Sequence, residues 1–205
     1  DGLRAVCEPE QIAFFEYAST TASDSMLKFI RNLKPGIREH EAAAHLNSRG
    51  LDLSCHTMTS FGAKVSRGLS SPGDAKAKVG DLYTAALGVT GALSSRAGYL
   101  AASPEDVPAE TREFYEKYIK NYFSVVVAWY QSVRIGITGG EVFSIVEKQR
   151  DPELFHFAVN TGHLLHLDEW VNSPFSAGDK TPLKSGMAIQ ADIIPISNGP
   201  SCFAN

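Results

Sequence analysis

The sequence predicts an α+β domain built from two related halves. Three observations carry this expectation. Two long stretches of helical apolar spacing begin about 100 residues apart, at Pro9 and Pro108. Each ends in a similar junction to a short second helix, Leu33-Lys34-Pro35-Gly36-Ile37 and Val133-Arg134-Ile135-Gly136-Ile137, with Glu41 and Glu141 at the same offset. Strand-like segments follow each helix pair, as in a duplicated helix–helix–strand unit. Taken alone, the two junctions read equally well as simple helix stops.

The elements follow in order. Ile12, Phe15, Ala18, Ala22, Met26, Phe29 and Leu33 recur at helical spacing, and Pro9 suits a first turn, so a helix is expected over 9–33. A short helix is expected from Glu39 to about Ser48, closed by Gly50. Asp81 to Leu87 reads as a strand, Gly88 to Gly91 as a turn and Ala92 to Leu100 as the returning strand; Gly68 to Gly73 reads as a loop. A second long helix opens at Pro108 and breaks at Gly136. Another short one runs from about Gly140 to Lys148, and Met187 to Ile194 reads as a strand.

Composition narrows the function classes. The 205 residues are 43% hydrophobic and 20% charged, proportions of a globular protein with a sizeable core. The net charge of −4 argues against a nucleic-acid partner, and no apolar run is long enough to span a bilayer. Cys7, Cys55 and Cys202 are odd in number and form no CxxC pair, which fits free thiols in a reducing cytoplasm rather than a zinc knuckle. The start at Asp1 and the strand-like end at Cys202 to Asn205 read as those of a longer protein, shortened at its C-terminal end and with a further domain possible upstream.

The segment richest in chemical groups is Asn160 to Trp170, with His163, His166, Asp168 and Glu169. Its order is not the HExxH of a helix-borne zinc site. The bland reading, a satisfied core histidine, stands beside the functional one. Tyr115, Tyr118, Tyr122, Phe123, Trp129 and Tyr130 crowd one helix and read as core or subunit interface. The acidic pairs Glu8/Glu10 and Glu39/Glu41 suit helix N-termini.

Several motifs together resemble the pita-bread family of prolidases, aminopeptidases P, methionine aminopeptidases and creatinase. Gly162-His163-Leu164-Leu165-x-Leu167-Asp168 resembles the prolidase-type GHLLGLD segment. Leu183-Lys184-Ser185-Gly186-Met187 resembles the L-x-x-G-M before a metal-ligand strand, and Gly80-Asp81-Leu82 with Leu87-Gly88-Val89 resembles the GD-L…DLGV hairpin. The Leu33-Lys34-Pro35-Gly36 junction with Glu39 and Glu41 also fits, and the matches run in the family's order from about residue 9 to 195.

The resemblance implies a single pita-bread domain over 1–205, a curved antiparallel sheet flanked by helices, peptidase-like hydrolysis and a homodimer. It also implies a site, and here the sequence departs from the family. The family's metallopeptidases hold two divalent ions with two Asp, one His and two Glu, because anionic bridges screen the repulsion between neighbouring cations. The first Asp position falls on Ala86; the second falls on Ser95, Arg96 or Ala97. His163 keeps the His, Asp192 replaces the first Glu, and the last Glu position lies beyond Asn205. The family's substrate-facing His falls on Trp170, and the His base of metal-free creatinase falls near Arg67; His56 does not match.

The expectation is therefore a family member with no metal or other cofactor. His163 and Asp192 are its catalytic candidates, acting on a small peptide or other small molecule. Arg96, Arg67, His166 and Trp170 are its substrate-binding candidates, with Arg96 supplying the positive charge that a metal would otherwise bring. A non-catalytic peptide- or protein-binding module is the alternative, and an active metallopeptidase with unusual ligands a second one.

Overall fold

The computed structural model describes residues 4–168, 170 and 172–201. Two long helices of equal length, α1 (Pro9–Asn32) and α3 (Ala109–Ser132), each lead into a shorter one, α2 (Glu39–Ala43) and α4 (Gly139–Gln149). Strands β1 (Met58–Phe61), β2 (Leu82–Val89) and β3 (Ala92–Tyr99) follow the first pair, and β4 (Phe155–Phe157), β5 (His163–Leu164), β6 (Ile189–Gln190) and β7 (Pro195–Ser197) follow the second. Every strand pairing is antiparallel: β1-β2-β3, β4-β7 and β5-β6. Among the described residues no helix is long and apolar enough to cross a membrane.

The repeat expected from the two junctions is present in the hydrogen bonds. Gly36 and Gly136 both take positive φ, 88° and 90°, where a side chain would be strained. Each donates its N–H across the half to the same kind of partner, Ala77 O and Leu183 O, both at 2.8 Å. Ala77 and Leu183 in turn donate to Ile37 and Ile137. The chain divides into two compact units, residues 13–112 in one and residues 4–12 with 113–201 in the other. The boundary cuts α1 and α3 at the same point of the repeat.

In the first unit, α1 places Ala18, Ala22, Met26 and Phe29 in a cluster with Phe61, Ala85, Leu87 and Val89. The small residues let the helix approach the hairpin closely. Beneath α2, Glu39 is fully buried: Oε1 accepts from Phe61 N at 2.9 Å, and Oε2 from Gly73 N at 2.7 Å and Lys64 Nζ at 2.6 Å. A carboxylate expected only to cap a helix thus ties helix, strand and loop together. In the second unit the core is aromatic, with Tyr118 against Phe155 at 5.4 Å and Trp129 against Phe175 at 5.5 Å between ring centres. Phe123 and Tyr130, on the same helix, are exposed.

Some bounds differ from expectation. α2 stops at Ala43, well before Ser48, and the chain beyond it is held to α1 by Ser25 Oγ donating to Asn47 O at 2.6 Å. The hairpin runs two residues further than Leu87, so that only Thr90 and Gly91 turn. Met187 to Ile194 contains only the two-residue strand β6. The expected strand over Cys202 to Asn205 lies outside the described residues.

Candidate functional site

In the second unit, β5 pairs with β6 so that His163 stands opposite Gln190, and Asp192 follows two residues later. Gly162 makes this pairing possible: a Cβ there would lie 2.6 Å from the Gln190 carbonyl oxygen. The Tyr122 hydroxyl donates to Ile193 O at 3.0 Å and fixes the chain next to Asp192. Ser173 Oγ donates to Gly162 O at 2.6 Å and holds the other flank.

His163 is fully buried. Its Nδ1 lies 3.2 Å from Leu164 O. A carbonyl only accepts, so Nδ1 carries the proton and Nε2 is the basic nitrogen of the neutral ring. Nε2 is 3.8 Å from Asp192 Oδ2. That is beyond hydrogen-bond length but within range of a strong charge interaction when the ring is protonated. The Trp170 ring stacks on His163 with centres 4.2 Å apart and planes 28° from parallel. Trp170 is itself 42% exposed, so it separates the imidazole from solvent.

His166, also buried, meets the segment that leads into α1. Gln11 Nε2 lies 3.1 Å from His166 Nε2. Cys7 N donates to Gly186 O at 2.8 Å, and Arg4 pairs with Asp168. Residues 4–11 therefore run along the loop that carries His166 and the turn before β6. The available signal was the order Glu8-Pro9-Glu10-Gln11, a helix start with Gln at its third position. Glu169 lies outside the described residues.

The hairpin lies in the first unit. Opposed residues of an antiparallel pair share a face. Ala86 pairs with Met58 on one side and Ser95 on the other. The register therefore selects Ser95, among the three candidates, as the residue across from Ala86. The same face holds Ser60 and Thr84, opposed to each other, whose buried hydroxyls have no hydrogen-bond partner among the described residues. Ala85, Leu87 and Val89 point the other way, into the core.

Arg96 pairs with Ala85 and so leaves the strand on the face opposite Ala86. It is exposed, and its guanidinium donates to the Ser95 carbonyl. Its charge acts on Tyr83, whose phenol is pushed up by burial and drawn partly back by Arg96. By the alternation of side chains along a strand, Arg96 and Ala86 therefore lie on opposite faces of the hairpin. Arg67, at the end of a short 3₁₀ turn (Gly62–Arg67), and His56 are both exposed.

The fold has clear relatives among solved structures. It is similar to a Xaa-Pro dipeptidase from Bacillus anthracis, with a TM-score of 0.72 at 19% identity over 98% of this chain and 57% of that one. A prolidase from Pyrococcus furiosus gives 0.73 at 24% identity over 94% and 58%. An X-Pro aminopeptidase from Thermotoga maritima gives 0.72 at 16% over 99% and 58%. At these identities the likeness is one of fold, and the chain spans less than three-fifths of the length of each. No curated protein sequence matches it. The family model described as metallopeptidase family M24 matches residues 13–193. With the helix pairs and antiparallel pairing of the pita-bread fold and a model match over most of its length, the chain belongs to metallopeptidase family M24.

Proposed function

We propose that this chain is an M24 domain whose dinuclear metal site has been lost, and whose remaining His163–Asp192 pair hydrolyses a C–N bond in a small peptide or amidine without a metal. The observation that carries the reading is the hairpin register. Where the family resemblance calls for two bridging carboxylates, the shared face holds the methyl of Ala86 and the hydroxyl of Ser95. Neither supplies the negative charge that two adjacent cations need. Among the described residues, no three His, Cys, Asp or Glu side chains group as metal ligands. This donor set does not fit a dinuclear centre.

The chemistry left to this pair is general acid–base catalysis. His163 Nε2 takes a proton from water as the oxygen adds to the carbon of the scissile bond. Asp192 stabilises the imidazolium, and the same proton passes to the departing nitrogen as the C–N bond breaks. Trp170 limits water at the ring, and His166 contacts the ligand. Arg96 and Arg67, both exposed, remain cations able to meet a ligand carboxylate. The protein is proposed to act as a homodimer in the cytoplasm, on small substrates and not on nucleic acid. A second reading, a domain that binds peptide without cleaving it, is favoured by one observation: the stack with Trp170 covers one face of the imidazole that faces Asp192.

The test pairs elemental analysis of purified protein with cleavage assays on short peptides and amidines, with and without chelator. The proposal expects no stoichiometric zinc, manganese or cobalt. It also expects activity that survives chelation and falls by at least about 10²-fold in His163→Ala. Two tightly held ions would defeat it. Peptide binding without turnover would favour the second reading.

A further inference from the structure

We propose that Gln11 is a positioning residue of the candidate site: it fixes His166 as the neutral tautomer that carries its proton on Nδ1. The inference holds whether the cleft catalyses or only binds. It rests on one amide whose orientation is not free. The Glu8 backbone N–H donates to Gln11 Oε1 at 2.9 Å. A backbone N–H can only donate, so the oxygen end of the carboxamide must face Glu8, and the –NH₂ end must face the other way. That end lies 3.1 Å from His166 Nε2. An –NH₂ group can only donate, so Nε2 accepts and carries no proton, and the proton of the neutral ring sits on Nδ1.

The orientation is imposed by the helix rather than by the site. Pro9 is the first residue of α1, Glu8 caps it and Gln11 is the third. In a capping box the third side chain reaches back to the capping residue's N–H. Turning the amide over would point –NH₂ at that N–H and lose the cap, besides opposing two donors. The requirements of helix start and histidine thus agree in a single rotamer. The Arg4–Asp168 pair and the Cys7–Gly186 hydrogen bond flank the contact and hold residues 4–11 along the loop. Trp170, which stacks on His163, lies four residues beyond His166. A helix cap is in this way connected to His166, and any group meeting that ring at Nδ1 encounters a donor.

The experiment reads the imidazole nitrogens directly. The full chain, labelled with ¹⁵N at histidine, is examined by two-dimensional proton–nitrogen NMR at pH 7.5, and His166→Gln identifies the His166 signals by their loss. The expected wild-type pattern is a protonated, pyrrole-like Nδ1 and a bare, pyridine-like Nε2. Gln11→Glu keeps an oxygen for the Glu8 N–H but replaces the donor facing His166 by an acceptor. It is expected to move the proton to Nε2, exchanging the two nitrogen shifts or protonating both. A wild-type His166 with its proton on Nε2, or on both nitrogens, overturns the proposal. So does a folded Gln11→Glu whose His166 signals are unmoved, because Gln11 would then serve only as a cap. Should Gln11→Glu fail to fold, the wild-type pattern alone decides.

Discussion

The two halves of this chain repeat one design and part company where the short helix begins. Residue 39 and residue 139 both begin the short helix after the glycine turn, and their N–H groups donate to Ala75 O and Thr181 O at 3.0 and 3.1 Å. Glu39 fills the space beneath its helix with a carboxylate that gathers two backbone amides and Lys64. At Gly139 that space is already occupied: a Cβ would lie 2.1 Å from the Pro174 carbonyl oxygen. The same backbone frame is closed by a side chain in one half and by main chain in the other. A repeat can therefore keep its hydrogen-bonded skeleton while the material that fills it changes completely.

The contrast is open to substitution, with the largest effect expected at Glu39. Glu39→Ala leaves two buried N–H groups without an acceptor and Lys64 with only the Ser71 carbonyl, and should cost about 3 kcal/mol in urea unfolding; Glu39→Gln, which keeps one acceptor, should cost less. A loss under about 1 kcal/mol would mean that the carboxylate is not what closes the first half. Gly139→Ala comes next, at about 2 kcal/mol, because the loop at Pro174 must move to admit the methyl group. Full stability in this variant would show that the second half is not closed by main chain.

The helix caps sharpen the comparison further. Thr138 Oγ1 accepts from Glu141 N at 3.2 Å while Glu141 accepts from Thr138 N at 2.8 Å. Arg38 receives the return bond, Arg38 N to Glu41 Oε2 at 2.8 Å, but has no side-chain acceptor to complete the box. Thr138→Ala should therefore cost about 1 kcal/mol, while Arg38→Thr, which completes the box but gives up the Arg38–Asp74 ion pair, should change stability by less than about 0.5 kcal/mol, both read by thermal melting. A similarly small effect belongs to Arg96→Ala, within about 0.5 kcal/mol, since that side chain is exposed and donates to a neighbouring carbonyl. A large loss of stability there would show that Arg96 supports the hairpin.

Much of the frame was legible because it is local. The long helices announce themselves by apolar spacing and proline starts, and the β2–β3 hairpin by its glycine turn. β1 and β4 were not visible: Met58–Phe61 and Phe155–Phe157 are short, and only pairing with β2 and β7 makes them strands. Glu39 read as a helix-start acid because its partners Phe61 and Gly73 lie 22 and 34 residues away. His163 and Asp192 were singled out by resemblance. Their separation of 3.8 Å depends on the β5–β6 pairing, which no local pattern encodes. The face taken by Arg96 followed from register, and a slip of one residue reverses every side chain.

The tether of residues 4–11 has a consequence in time. Gln11 finds His166 155 positions later, and Arg4 finds Asp168 164 positions later. During synthesis at about 5–20 residues per second, the beginning of α1 leaves the ribosome several seconds before the residues that secure it exist. The Ala-rich core of residues 13–112 can assemble in that interval, but the first turn of its longest helix must wait. Within α1, the turn made first is fastened last.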